Sequence, residues 1–157
     1  MSNFSLHLPA NFDYLHLARE FSKEVCLFLP GYSCAPSFLD DVKLAVSEAC
    51  TNAMIHGKKN KFSGQIILKL KIYPEKFMIR VLDQGKGFDL DKVPFPNMEV
   101  PDENGYGIFL IKLKMDTVNY QRGKNWNTLT MEKNFSFIDM APPLKNPPKR
   151  SPNPSQV

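Results

Sequence analysis

Long apolar runs are missing from this sequence of 157 residues. None approaches the roughly 20 residues that a membrane-crossing helix requires, so a helical membrane span is not expected. The opening residues, Met1-Ser2-Asn3-Phe4, show no basic stretch leading into an apolar one, which a secretion signal would need. Cysteine is scarce: Cys26, Cys34 and Cys50 are odd in number and form no C-x-x-C pair. Three reduced thiols in a cytoplasmic protein are expected, rather than a disulfide framework or a zinc site. A basic face is missing as well. The net charge is +4, but Lys145, Lys149 and Arg150 against Asp139 supply half of it near the C-terminus. The remaining body is close to balanced, which argues against direct nucleic-acid binding. There is no G-x-x-x-x-G-K-[ST] phosphate loop. No glycine pair extends into G-x-G-x-x-G, because Leu90 and Leu110 occupy the third position.

What is present suits one folded domain. A hydrophobic content of 43% provides a core for a chain of this length. The composition changes at about Phe137. Beyond it, Pro142-Pro143, Pro147-Pro148, Pro152 and Pro154 are mixed with Lys, Asn and Ser. Residues 1–137 are therefore expected to fold and 138–157 to form a Pro-rich disordered tail, with a docking peptide as the alternative.

The folded part reads as α+β. Phe4 to Leu8 alternates like a short strand. Phe12 to Leu29 has helical spacing, with Leu15, Ala18, Phe21, Val25 and Phe28 on one face, and Pro30-Gly31 ends it. Pro36-Ser37 opens a second helix: Ser37 can cap it, and Asp40 and Asp41 suit the positive end of its dipole. Gly57 is a natural stop. Gln65 to Tyr73 and Phe77 to Leu82 read as a strand pair around Pro74-Glu75. Residues 88–104 form a long loop with Pro94, Pro96 and Pro101. Ile108 to Met115 is helical, and Val118 to Gln121 pairs with Thr128 to Glu132 around Gly123.

Three short motifs carry the chemistry: Glu48-x-x-x-Asn52, Asp83-x-Gly85-x-Gly87 and Gly105-Tyr106-Gly107. On the second helix, Val42, Ala45, Val46, Ala49 and Ala53 form an apolar stripe, and Leu44, Glu48, Asn52 and His56 follow one another beside it. A solvated helix face would give the same spacing. Asp83 ends an apolar strand, where a carboxylate is costly unless a donor meets it, and an adenine amino group is such a donor. Gly85 and Gly87 let the backbone turn sharply and a base pack closely. An ordinary Asp-x-Gly turn is the plainer reading. Gly105 and Gly107 precede a helix whose free N–H groups attract phosphate. No motif is specific alone; their order, each on its proper element, is what points to a Mg-nucleotide site.

The segments AVSEACTNAMIHG, VLDQGKGFDL and ENGYGIFLIKLKMDTVNY resemble the N, G1 and G2 boxes of the histidine-kinase-like (GHKL) ATPase superfamily. Within it they are similar to the anti-sigma-factor serine kinases of bacterial partner-switching systems. The resemblance covers about residues 5–133. It implies a Bergerat-type ATP-binding fold, a two-layer α/β sandwich with a mixed, mostly antiparallel sheet. Carried over by residue, Asn52 matches the Mg2+-binding asparagine and Glu48 the carboxylate that orients or deprotonates the attacking hydroxyl. Asp83 matches the adenine-binding aspartate, with Gly85 and Gly87 in its turn. Gly105, Tyr106 and Gly107 match the phosphate-binding turn, and Thr128 a threonine near adenine. Asn127 departs from the pattern, since a glycine is usual there. Arg19 lies where the family contacts its partners, although a solvated helix face explains it nearly as well. His56 reads as a helix-end residue.

The resemblance further implies a cytoplasmic, homodimeric protein serine/threonine kinase. It would use ATP and Mg2+, hold a sigma factor and phosphorylate a small anti-anti-sigma antagonist. A non-catalytic ATP-gated binding switch is the alternative, and Glu48 favours the kinase because a pure binder does not need it. A histidine-kinase catalytic domain is a third reading, weakened by the lack of a long upstream helix with an acceptor histidine.

Overall fold

The structure, a computed structural model, describes residues 2–27, 35–56, 64–90, 93 and 106–135. Its sheet follows from alternation. Along β2 (Gln65–Ile72) every second side chain, Ile66, Leu68, Leu70 and Ile72, is buried, while Gln65, Ile67, Lys69 and Lys71 turn to the other face. The register carries this pattern across the sheet. Phe4, Leu6 and Leu8 of β1 (Ser2–Pro9) lie opposite Leu70, Leu68 and Ile66. Phe77, Ile79 and Val81 of β3 (Lys76–Asp83) lie opposite Ile72, Leu70 and Leu68. A one-residue slip would turn this whole apolar face into water, so the register is strongly fixed.

Three helices cover that face. A 3-10 turn at Phe12–Tyr14, capped by Asn11, whose side chain accepts from the Asp13 N–H at 3.2 Å, leads into α1 (Leu15–Leu27). The expected first helix is thus shortened at its start, because the Asn11 side chain satisfies the backbone there. Ala18 and Val25 are buried as expected, and Leu15 and Phe21 pack partly against the core. Ser22 and Cys26 are buried with them, the Ser22 hydroxyl donating to the Ala18 carbonyl at 2.8 Å. Phe28, Pro30, Gly31 and Gly57 lie outside the described residues.

Helix α2 (Pro36–His56) lies between α1 and α3 (Tyr106–Lys114) and also rests on β2 and β3. The expected stripe of Val42, Ala45, Val46, Ala49 and Ala53 is buried, but so are Phe38, Cys50 and Met54. A helix flanked on both sides and backed by a sheet buries more than one stripe. The helix starts at Pro36, where the missing N–H costs nothing. Ser37 is therefore inside the first turn rather than capping it, and Asp40 and Asp41 fall on the second. There they pair with lysines: Asp40 with Lys43 at 3.0 Å, and Asp41 with Lys114 and Lys133, each at 3.0 Å.

After α3 the chain forms β4 (Thr117–Gln121), turns at Gly123 and returns as β5 (Asn127–Asn134). The strand order is β1-β2-β3-β5-β4, so β5 enters between β3 and β4. Every described pairing is antiparallel. The expected mixed sheet is corrected to a wholly antiparallel one among the described residues. The crossover through α3 delivers β4 to the edge, and the hairpin back to β3 makes both contacts of β5 antiparallel.

Candidate nucleotide site

Glu48 and Asn52 are one helical turn apart on α2 and half-buried. What they face is decided by a missing side chain. A Cβ placed on Gly107, the second residue of α3, would lie 2.7 Å from the Glu48 Oε2 and 3.4 Å from the Asn52 Nδ2. The start of α3 thus comes closer to the Glu48 carboxylate than a side chain at 107 would allow without moving it, and lies in ordinary contact with Asn52. Tyr106, half-buried, begins the same helix, and Gly105 lies outside the described residues. The positive end of the helix dipole favours negative charge beside Asn52.

The second convergence lies behind it. A small cleft is lined by Asn52 and His56 of α2, by Asp83 and Gly87, and by Phe88 and Tyr120 at its side. Ala49, Ala53, Val81 and Leu129 form its apolar floor. The small side chains of α2 are what leave room there. Asp83 stands at the end of β3 with Oδ1 accepting from the Gly85 N–H at 2.8 Å. Gly87 has φ of 71°, a left-handed conformation that favours glycine, and a Cβ there would meet the Arg122 Nε at 2.9 Å and the Tyr120 hydroxyl at 3.0 Å. The Arg122 guanidinium also donates to the Lys86 carbonyl at 2.6 Å, bracing the turn from outside.

Two polar groups, one lining the cleft and one bonded to Asp83 at its edge, were not singled out from sequence as ligand contacts. Asn127, only 4% exposed, donates its amide to the Asp83 Oδ1 at 3.1 Å and to the Gly85 carbonyl at 2.9 Å. Tyr120 stacks on Phe88 with centroids 4.1 Å apart, and its hydroxyl is buried without a well-formed hydrogen bond. Burial pushes the phenol up to about 12, with the negative charge of Asp83 adding to it, so the group stays neutral and able to donate.

Thr128 does not join this cleft. Asp83 pairs with Asn127 in register and Leu82 with Thr128, and residues 127, 129 and 131 are the ones buried on the helix side of β5. Thr128 therefore sits on the opposite face of the sheet, and Asn127 holds the position over Asp83. The alternation Asn127, Leu129, Met131 was the signal available in the sequence. Arg19 is half-buried on α1 in a separate surface groove with Glu20, Lys43, Leu44 and Ser47. Among the described residues no three His, Cys, Asp or Glu side chains gather to hold a metal by themselves. A hard cation at Asn52 would take its remaining ligands from phosphate oxygens and water.

Comparison with known proteins agrees with this geometry. A profile of the histidine kinase-like ATPase domain matches residues 8–133. The chain is 35% identical over 133 residues to the serine-protein kinase RsbW of Oceanobacillus iheyensis, spanning 75% of this chain and 80% of that one. With the serine-protein kinase RsbW of Bacillus subtilis it shares 30% over 155 residues, 90% of this chain and 92% of the relative. Among solved structures, the RsbU and RsbW domains of a Mycobacterium tuberculosis protein superpose with a TM-score of 0.62 at 17% identity. That match covers 85% of this chain and 32% of the other, and speaks for the fold.

Proposed function

The chain belongs to the histidine kinase-like ATPase family, and from that premise we propose that it is the kinase of a partner switch, transferring phosphate from ATP to a serine or threonine of a small antagonist protein. The serine-protein kinases among its relatives span most of its length at 30–36% identity, and the chain is a protein serine kinase of that group. The observation that carries the reading is the contact of Gly107 with Glu48 and Asn52. It puts a carboxylate, an amide and a helix N-terminus at one point, next to a cleft with Asp83 at its far end.

In this reading Asp83 accepts from the adenine amino group, and Gly85 and Gly87 let the base lie against the turn. The start of α3, with Gly105, Tyr106 and Gly107, binds the phosphates, and Asn52 holds Mg2+. The bound Mg2+ neutralises phosphate charge. Glu48 would take the proton from the incoming hydroxyl, or align it, while that oxygen bonds to the γ-phosphorus and the bond from the γ-phosphorus to the β–γ bridging oxygen breaks, that oxygen leaving with ADP. Positioning and charge neutralisation suffice, since no covalent enzyme intermediate is required.

The partners we propose are a sigma factor, held when the antagonist is phosphorylated and no longer competes, and the antagonist itself. Arg19 is a candidate contact, and the kinase acts in the cytoplasm as a homodimer. No described helix is long and apolar enough to cross a membrane, which fits that setting. The test is a pull-down with and without Mg-ATP, followed by phosphosite mapping and two variants. Glu48→Gln is expected to bind Mg-ATP like the wild type and to lose phosphotransfer by about a hundredfold or more. Asn52→Ala is expected to lose the Mg2+ dependence of binding. Phosphorylation of the antagonist by Glu48→Gln at the wild-type rate would remove Glu48 from the chemistry. Failure to find any phosphorylated partner would favour a non-catalytic ATP-gated switch.

A further inference from the structure

Asp83 could meet an adenine amino group only if its carboxylate is held in one orientation, and a carboxylate at a strand end has several. Here the orientation is set by three hydrogen bonds. Oδ1 accepts from the Gly85 N–H at 2.8 Å and from the Asn127 amide at 3.1 Å, and the same amide nitrogen donates to the Gly85 carbonyl at 2.9 Å. Asn127 thereby ties the strand end, the carboxylate and the following turn into one unit. Among the described residues Oδ2 takes no hydrogen bond and remains for a ligand. The Asn127 side-chain oxygen faces the place where Gly87 has no Cβ, 3.2 Å away, so it also limits how close the turn can come.

We propose that Asn127 is a positioning residue for purine recognition: it fixes the Asp83 carboxylate with one oxygen presented to the cleft, and so sets the preference for a 6-amino purine over a 6-oxo purine. The proposal rests on the ATP-dependent reading above and adds to it a residue that neither the motifs nor the family pattern supplies. A leucine of nearly the same shape would keep the packing and remove both donated bonds. Asp83 could then rotate, and adenine would lose a prearranged acceptor. One charge-assisted hydrogen bond lost in this way corresponds to roughly a tenfold change in affinity.

The experiment is a calorimetric titration of the full chain with ATP and with ITP, whose base carries a carbonyl where adenine carries the amine. It is run on the wild type, Asn127→Leu, Asp83→Asn and the double variant, with a thermal melt of each. The wild type is expected to favour ATP. Asn127→Leu is expected to lose about tenfold in ATP affinity, with ITP little changed. In the Asp83→Asn background the same substitution should cost almost nothing further, because its effect passes through that carboxylate. An equal loss for ATP and ITP, or full additivity with Asp83→Asn, would reduce Asn127 to a packing residue and overturn the proposal. Should Asn127→Leu melt too low to titrate, Asn127→Ser carries the same comparison with a shorter side chain that cannot reach Asp83. A wild type that binds ATP and ITP equally would instead remove the adenine pocket, a failure of the underlying reading distinguishable from the first.

Discussion

Tyr120 holds a buried hydroxyl with no well-formed hydrogen bond, only an approach to the Phe88 backbone, a state that costs the free protein part of the roughly 1–3 kcal/mol of an unmet polar group. Tyr120→Phe keeps the stack on Phe88 and removes that cost. It is expected to raise the melting temperature of the nucleotide-free chain by a few degrees and to shrink the further rise that ATP produces, if the bound base or its water meets the phenol. Melting curves with and without ATP check both parts, and a lower melting temperature without nucleotide would show that the hydroxyl is already satisfied. Single positions were legible in the sequence where the residue type was rare and its neighbours fixed its element. Glu48, Asn52, Asp83, Gly87 and Gly107 converge as expected because each sits on a helix turn or a strand end that the apolar pattern defines. Thr128 was assigned by family pattern, and the strand's period of two puts Asn127 in its place. Tyr120 and Phe88 could not be read as partners, since their stacking depends on how β4 meets the turn after β3.

Among the elements, α2 shows how one helix is tied to two elements that lie far from it along the chain. Its Asp41 accepts from Lys114 at the end of α3 and from Lys133 of β5, and Lys133 also donates to the Lys114 carbonyl at 2.9 Å and lies 5.8 Å over the Phe38 ring. Burial pushes the Asp41 carboxyl up, but the hydrogen bonds from Lys133 and Lys114 outweigh it and hold the group below its ordinary value. Its folded pKa being depressed, the stabilisation is full above the unfolded carboxylate value of about 3.9 and is lost as the pH falls through the lower folded one. Asp41→Asn should therefore cost about 1–2 kcal/mol at pH 7, the worth of two partly exposed ion pairs, and less as the pH falls through the lowered folded value, which denaturant titrations at neutral and at acid pH would measure. An equal cost at both would mean that packing, not charge, is what Asp41 supplies. Element boundaries were less legible than element types. The acids near the start of α2 read as partners of the helix dipole, and only the fold shows lysines from α3 and β5 reaching them.

For the molecule as a whole, the cleft is assembled from α2, β3, the turn after it, and the β4–β5 hairpin. A nucleotide bound there holds these parts together and stabilises the folded chain by mass action, about 2.7 kcal/mol at a hundred times the dissociation constant. Millimolar Mg-ATP is expected to raise the melting temperature by several degrees and Mg-GTP by far less, because guanine sets a carbonyl against Asp83. Equal shifts in a thermal-shift assay would remove that carboxylate from base selection. The α+β class and the strand pairs were legible from periodicity and turns. The strand order was not, since nothing local says that β5 inserts beside β3. The loop of residues 88–104 lies largely, and the tail 138–157 entirely, outside the described residues. The insertion of β5 also bears on synthesis. Until Asn127 to Asn134 have left the ribosome, β3 is a bare apolar edge, open to pairing with other chains. Asp83 then has no Asn127 beside it, and the cleft has no Leu129 or Tyr120 wall. A nascent chain folded only as far as β4 would thus have no finished cleft, and the site would come into being only with β5.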